Sequence, residues 1–283
     1  MNSSDLLEGS GLGLRRGMFP ELRKYQNQVA NTVDFFEVAP ENWINVGGRF
    51  GQRFRDFTEK FPIVCHGLSL SLGSPQPLDL SLLGQVRKFL LEFDIQYYSD
   101  HLSACSDTGH LYDLMPIPFT ESAVRYVAER IRTVQDFLER RIAIEHVSYY
   151  ASPAQELSEI EFITSILDEA DCNLLLDVNN AYVNGINFCY DPKEFLDAMP
   201  MERVTYIHIA GHYKEAEDLR VDTHAANVIE PVWELLEHVY SKFGQVPTLL
   251  ERDFKFPPVP KLLLEVKRIK ELQQRYSEES ISS

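Results

Sequence analysis

Leu174-Leu175-Leu176-Asp177 is a short, continuously apolar run that stops at a carboxylate. The same figure recurs along the chain. Pro62-Ile63-Val64-Cys65 stops at His66, Gln96-Tyr97-Tyr98-Ser99-Asp100 at His101, and Ile142-Ala143-Ile144 at Glu145. Thr205-Tyr206-Ile207 stops at His208 and Thr248-Leu249-Leu250 at Glu251. Two earlier runs fit less closely: Phe35-Phe36 before Glu37, and Gly11-Leu12-Gly13-Leu14 before Arg15. Short runs without polar alternation are what a parallel sheet covered on both faces requires.

Helical patterns fill the gaps between the runs. They fall near Glu21–Asn31, Arg49–Lys60, Leu80–Phe93, Glu121–Arg140, Ser158–Ala170, Pro192–Met199, Val228–Phe243 and Val259–Tyr276. The strongest is the fourth, where Thr120 stands at the N-cap and Val124, Val127, Ile131, Val134 and Leu138 recur with helical spacing. Eight strands alternating with eight helices predict an α/β fold, a (β/α)₈ TIM barrel in a single domain. The competing doubly wound sheet lacks a GxGxxG turn. The expected boundaries are an irregular N-terminus over 1–10, the barrel over 11–276, and a frayed tail over 277–283.

The chain has 283 residues, of which 44% are hydrophobic and 25% charged, enough for one large core. Forty-three acidic against 27 basic side chains give a formal charge of -16. That balance argues against nucleic acid, which is held by Lys and Arg. No run approaches the ~20 apolar residues of a membrane helix, and the first ten residues show no signal-peptide pattern. The expected location is cytoplasmic, with the four cysteines as free thiols.

In a TIM barrel the pocket lies at the C-terminal ends of the strands. His66, His101, Glu145, Asp177, His208 and Glu251 would then converge. The loop after the seventh strand adds Asp222-Thr223-His224, and Asn180 lies three residues beyond Asp177. Four carboxylates crowded together repel one another, and four neutral imidazoles bring no countercharge. Divalent cations answer both conditions, and carboxylates can bridge two of them. Nine donors suit two or three ions. Nitrogen and oxygen donors without thiolate suit iron, manganese or zinc. Any one of these histidines could instead be a hydrogen-bonded core residue, and Asp177 a cap. Six strand ends at once weaken that reading. Glu37, Glu41, Asn42 and His110 are candidates to support the ligands or to touch substrate, and His212 and Tyr182 to move protons.

Seven motifs carry a resemblance: Gly11-Leu12-Gly13-Leu14-Arg15, His66-Gly67-Leu68-Ser69-Leu70-Ser71-Leu72-Gly73, Ser99-Asp100-His101-Leu102-Ser103, Leu176-Asp177-Val178-Asn179-Asn180, His208-Ile209-Ala210-Gly211-His212, Asp222-Thr223-His224 and Glu251-Arg252-Asp253. From about Gly11 to Leu272 the chain resembles the multinuclear non-heme iron-dependent oxidative enzymes, a family that includes the oxidase of methanobactin biosynthesis. The resemblance implies a TIM barrel with two or three irons and O₂ as co-substrate. It implies modification of Cys, or another residue, in a ribosomally made precursor peptide, with a partner protein that binds the leader. It also implies a division of ligands: His66, His101 and Glu145 around one ion; Glu145, Asp177, His208 and Glu251 around a central one; Asn180, Asp222 and His224 around a third. Phe188-Cys189 and His146 depart from the family's usual residues near the mouth. The rival readings are a trinuclear zinc phosphodiesterase similar to abasic-site endonucleases, and a sugar-isomerase-like metalloenzyme.

Overall fold

A computed structural model describes residues 7–106, 110–151 and 154–281. Eight parallel strands close into a barrel: β1 Ser10–Gly13, β2 Phe35–Val38, β3 Ile63–Gly67, β4 Tyr98–His101, β5 Ala143–Glu145, β6 Asn173–Asp177, β7 Val204–Ile209 and β8 Thr248–Leu250. Each strand pairs with its neighbours in sequence, and β8 closes the ring against β1 through Ser10↔Thr248 and Leu12↔Leu250. The expected TIM barrel is the fold of this chain.

Strand alternation sorts the side chains. Phe35, Val64, Ala143, Leu175, Tyr206 and Leu249 form a separate buried cluster. Two residues further along each of these strands stand Glu37, His66, Glu145, Asp177, His208 and Glu251. Residues i and i+2 share a strand face. The barrel interior is therefore an apolar plug overlain by a layer of metal-ligating residue types. Gly11 sits where a Cβ would lie 2.5 Å from the Phe35 ring, so its lack of a side chain makes room for that plug. The second, larger core packs the outer strand faces against the helices.

The helices follow their sequence signals, with local differences. Thr120 accepts a hydrogen bond from the Ala123 amide and caps Glu121–Leu138, and Ser158 with Glu161 forms a capping box on Glu159–Ala170. The expected Glu21–Asn31 helix is two pieces, Phe19–Lys24 and Gln26–Thr32, divided at Tyr25. The last helix runs Val259–Ile281, through the stretch expected to fray, and the expected boundary after residue 10 falls inside β1. The chief difference is a helix over Val178–Phe188, directly after β6, where the sequence pattern placed no helix before Pro192. No described helix is long and apolar enough to cross a membrane.

One outer contact carries a pH prediction. Glu159 is buried, and burial pushes its carboxyl up to about 7 against three donors: the Tyr149 hydroxyl at 3.0 Å, Asn184 Nδ2 at 3.2 Å and the Tyr190 hydroxyl at 3.4 Å. Its folded value lies above the ordinary 4.5, so the folded chain binds the proton more tightly than the unfolded one. The stabilisation is complete below pH 4.5 and is lost as pH rises to about 7. Relative to Glu159→Gln, the parent chain should lose on the order of 3 kcal/mol over that window in urea titrations. Parallel pH profiles would contradict this.

Candidate metal centre

Barrel register sets the site. His101 pairs with Glu145 across β4 and β5, and Asp177 with His208 across β6 and β7, so ligands from neighbouring strands emerge side by side. Three groups result, each with donor atoms within 4.8 Å of one another: His66, His101 and Glu145; Glu145, Asp177, His208 and Glu251; His224, Glu251 and Asp253. Glu145 belongs to the first two and Glu251 to the last two.

In the first group His66 Nε2 lies 3.0 Å from His101 Nε2 and 2.9 Å from Glu145 Oε2, and His101 Nε2 lies 3.4 Å from Glu145 Oε2. Ligands at about 2.1 Å from one ion, at angles between octahedral and tetrahedral, are separated by about 3.0–3.4 Å. In the second, His208 Nδ1 stands 3.0 Å from Glu251 Oε2 and 3.7 Å from Glu145 Oε1. In the third, His224 Nδ1 stands 3.0 Å from Asp253 Oδ2 and 3.4 Å from Glu251 Oε2.

Hydrogen bonds do not account for this crowding. Glu145 Oε2, Asp177 Oδ2, His208 Nδ1, Glu251 Oε2 and His224 Nε2 are buried and make no well-aligned hydrogen bond, although all but Asp177 Oδ2 stand 2.7–3.0 Å from an imidazole or carboxylate atom of the cluster. Five such atoms in one cavity would cost heavily unless they share cations. The electrostatics agree. Burial opposes charge on His66, but the adjacent Glu145 carboxylate outweighs it and raises the imidazole to about 9. Burial also opposes charge on Glu145 and Glu251, yet the surrounding imidazoles hold both well below the usual carboxylate range. Asp177 goes the other way: burial, then the charge of Glu145, pushes it far up. Cations would displace these protons and neutralise the carboxylates. The residues present fit a multinuclear site of nitrogen and oxygen donors.

Several expected residues take different places. Asn180 Nδ2 donates to Glu145 Oε1 at 3.3 Å and to the His146 carbonyl at 3.1 Å, and Oδ1 is buried without a partner. Asn180 thus sides with Glu145, while His224 gathers with Glu251 and Asp253. Asp222 Oδ1 stands 2.7 Å from His224 Nε2 and accepts from Asn179 Nδ2 at 2.9 Å. Glu37 accepts from His208 Nε2 at 2.7 Å and lies buried beneath the donor layer. Glu41 accepts from the Leu68 amide at 2.8 Å, and Asn42 is exposed at the end of a 3₁₀ turn. His110 opens the second strand of a rim hairpin, and its side chain lies outside the described residues. His212 hydrogen-bonds Asn179 Oδ1 at 2.8 Å and stacks on Tyr182 at 5.1 Å. Burial, then Arg220, lowers its imidazole to about 4, so it is neutral at pH 7.

Sequence reasoning missed Asp253, Asn179, Ser99 and Tyr206. Asp253 follows Glu251 by two residues, the spacing that keeps two side chains on one face of extended chain. Arg15 holds Asp253 through its Nε at 3.1 Å and through Nη2. His224 adopts φ 47°, in the left-handed region, and its carbonyl accepts from the Asp253 amide at 3.1 Å. Such backbone persists only when its surroundings hold it. Gly211 permits the approach of this loop: a Cβ there would lie 2.2 Å from the Ala226 carbonyl oxygen.

Comparison with known proteins adds to this geometry. A family model described as "RiPP precursor modification enzyme MbnB/TglH/ChrH" matches residues 9–274. A UPF0276 protein of Alcanivorax borkumensis is 57% identical over 284 residues, covering 98% of this chain and 95% of that one. Among solved structures, 3-keto-D-glucoside 4-epimerase from E. coli superposes with TM-score 0.62 at 11% identity, over 93% of this chain and all of that one. Endonuclease IV from Thermus thermophilus does so with TM-score 0.59 at 16% identity, over 96% and 100%. At such identities the two structures speak for the barrel alone.

Proposed function

We propose that this chain, which belongs to the RiPP precursor modification enzyme family MbnB/TglH/ChrH, is a multinuclear iron oxidase. It uses O₂ to modify Cys, or another residue, of a ribosomally made peptide presented by a leader-binding partner protein. The observation that carries the reading is the sharing of Glu145 and Glu251 among three donor groups. Shared carboxylates hold ions close enough to act on one substrate. Iron held there would supply one-electron chemistry with O₂. The chain's own residues do the rest. Glu145 and Glu251 fix the spacing of the groups. Neutral His212, in contact with Asn179 and Tyr182, would pass a proton. The rim suits a peptide: Leu68, Leu111, Met115, Tyr150, Tyr213 and Phe254 are all exposed and lie in connections that follow barrel strands, Leu111, Met115 and Tyr213 on the short hairpin strands there. Exposed apolar residues on the connections at the C-terminal ends of the strands suit a polypeptide better than a sugar or a phosphodiester.

The test is co-expression with the precursor peptide and partner protein encoded beside the gene, under iron-replete conditions. The peptide should change mass only when O₂ is present, and the protein should carry more iron than zinc. An unmodified peptide beside iron-loaded protein would overturn the oxidase reading. Zinc at about three ions per chain, with cleavage of an abasic duplex, would replace it with the phosphodiesterase.

A further inference from the structure

Beneath the metal groups runs a continuous buried chain of hydrogen bonds. His66 Nδ1 meets Ser99 Oγ at 2.9 Å, Ser99 Oγ meets the Tyr206 hydroxyl at 3.0 Å, and that hydroxyl meets Glu37 Oε2 at 2.7 Å. The same Glu37 oxygen meets His208 Nε2 at 2.7 Å. All five residues are buried. The two ends of the chain are ligands in different donor groups.

Proton counting fixes the direction of every link. A carboxylate oxygen only accepts, so the Tyr206 hydroxyl and His208 Nε2 both donate to Glu37. The Tyr206 proton being committed, its oxygen accepts from Ser99. Ser99 has one proton, with the Tyr206 hydroxyl at 3.0 Å and the Cys65 carbonyl at 3.3 Å as its acceptors, and with that proton turned to either of them its oxygen accepts from His66 Nδ1–H. Once cations have displaced the second ring protons, the outcome is one tautomer at each end: His66 protonated on Nδ1, and His208 on Nε2. The remaining lone pairs are on His66 Nε2 and His208 Nδ1, the two atoms that face Glu145.

We propose that Glu37, Tyr206 and Ser99 are positioning residues that set the ring tautomers of His66 and His208 together, so that both donor groups are readied by one carboxylate. Tyr206 is in none of the donor groups; it transmits the choice made at Glu37. The proposal holds whatever metal the site carries. It separates Tyr206 from its apolar neighbours Phe35 and Leu175, which only fill the plug. A weakened link changes how basic the metal-facing nitrogen is, because the hydrogen bond opposite a ligating nitrogen tunes its donor strength.

Zinc, which is diamagnetic, serves as the probe on the full chain. Long-range proton–nitrogen correlation spectra of the zinc-loaded protein should show His66 carrying its proton on Nδ1 and His208 on Nε2. In Tyr206→Phe, both ring protons should shift and zinc affinity should fall about 10-fold. Glu37→Gln, which removes the charge, should weaken zinc binding by about 10- to 100-fold. A proton on His66 Nε2 in the unmutated protein would overturn the proposal. So would Tyr206→Phe protein with unchanged ring signals and unchanged affinity. Both readouts are independent of peptide oxidation, so failure of the oxidase reading leaves them intact.

Discussion

Replacing Glu145 by Gln should disable two of the three donor groups in one step. Its Oε2 sits among His66 and His101, and its Oε1 faces His208. Glutamine keeps the shape but turns one oxygen into a donor that repels a cation. It also removes the negative charge that holds His66 near a pKa of 9. Iron per folded chain should fall to at most one ion, and peptide oxidation should drop at least about 100-fold, the upper range for loss of even an outer partner of a metal. His66→Ala should act in the same direction on the first group alone. Elemental analysis beside circular dichroism separates metal loss from unfolding. Full iron content in folded Glu145→Gln would mean that this carboxylate is not shared.

Chelation should cost stability on a scale visible by calorimetry. A ligand at 1,000 times its dissociation constant stabilises the folded state by about 4 kcal/mol. In a chain of this size each kcal/mol moves the melting temperature by roughly 2–4 °C. Stripping the ions should therefore lower it by on the order of 10 °C, and restoring iron or zinc should recover it. The cause is local. Without cations, the buried carboxyl groups of Glu145, Asp177 and Glu251 crowd together, with ligand atoms within 4.8 Å of one another. An unchanged melting temperature in metal-free protein would show that protons satisfy the cluster as well as cations do.

Much of this architecture could be read from the chain because a parallel strand buried on both faces leaves an unmixed apolar run, and every run but the first, which stops at Arg15, ended at a residue of the ligand type. Glu37 shows the strength of that rule. Its run was short and fitted poorly, yet it occupies the same inward place as the others. The helix over Val178–Phe188 shows its limit. Four asparagines and a glycine make that stretch a weak helix former. Tertiary contacts override the propensity: Asn180, Asn184 and Asn187 donate in turn to the carbonyls of His146, Val147 and Tyr149. No local pattern announces a row of amides zipped to a loop from another strand. Asp253 was hidden for a related reason. Its role depends on His224 folding back from 29 residues away. The hydrogen-bond chain under the site was invisible because Ser99 and Tyr206 look like ordinary strand residues until register brings them together.

The seam of the barrel gives the metals a second meaning. β8 is the last strand to be translated, it seals the ring against both β1 and β7, and Glu251 follows it directly. The His66, His101 and Glu145 trio is complete near mid-chain, but the other two groups await the final strand. On the proposed multinuclear reading, uptake of ions by those two groups would gauge ring closure. During refolding, a metal-sensitive colour or fluorescence signal would time the moment at which the two ends of the sheet meet.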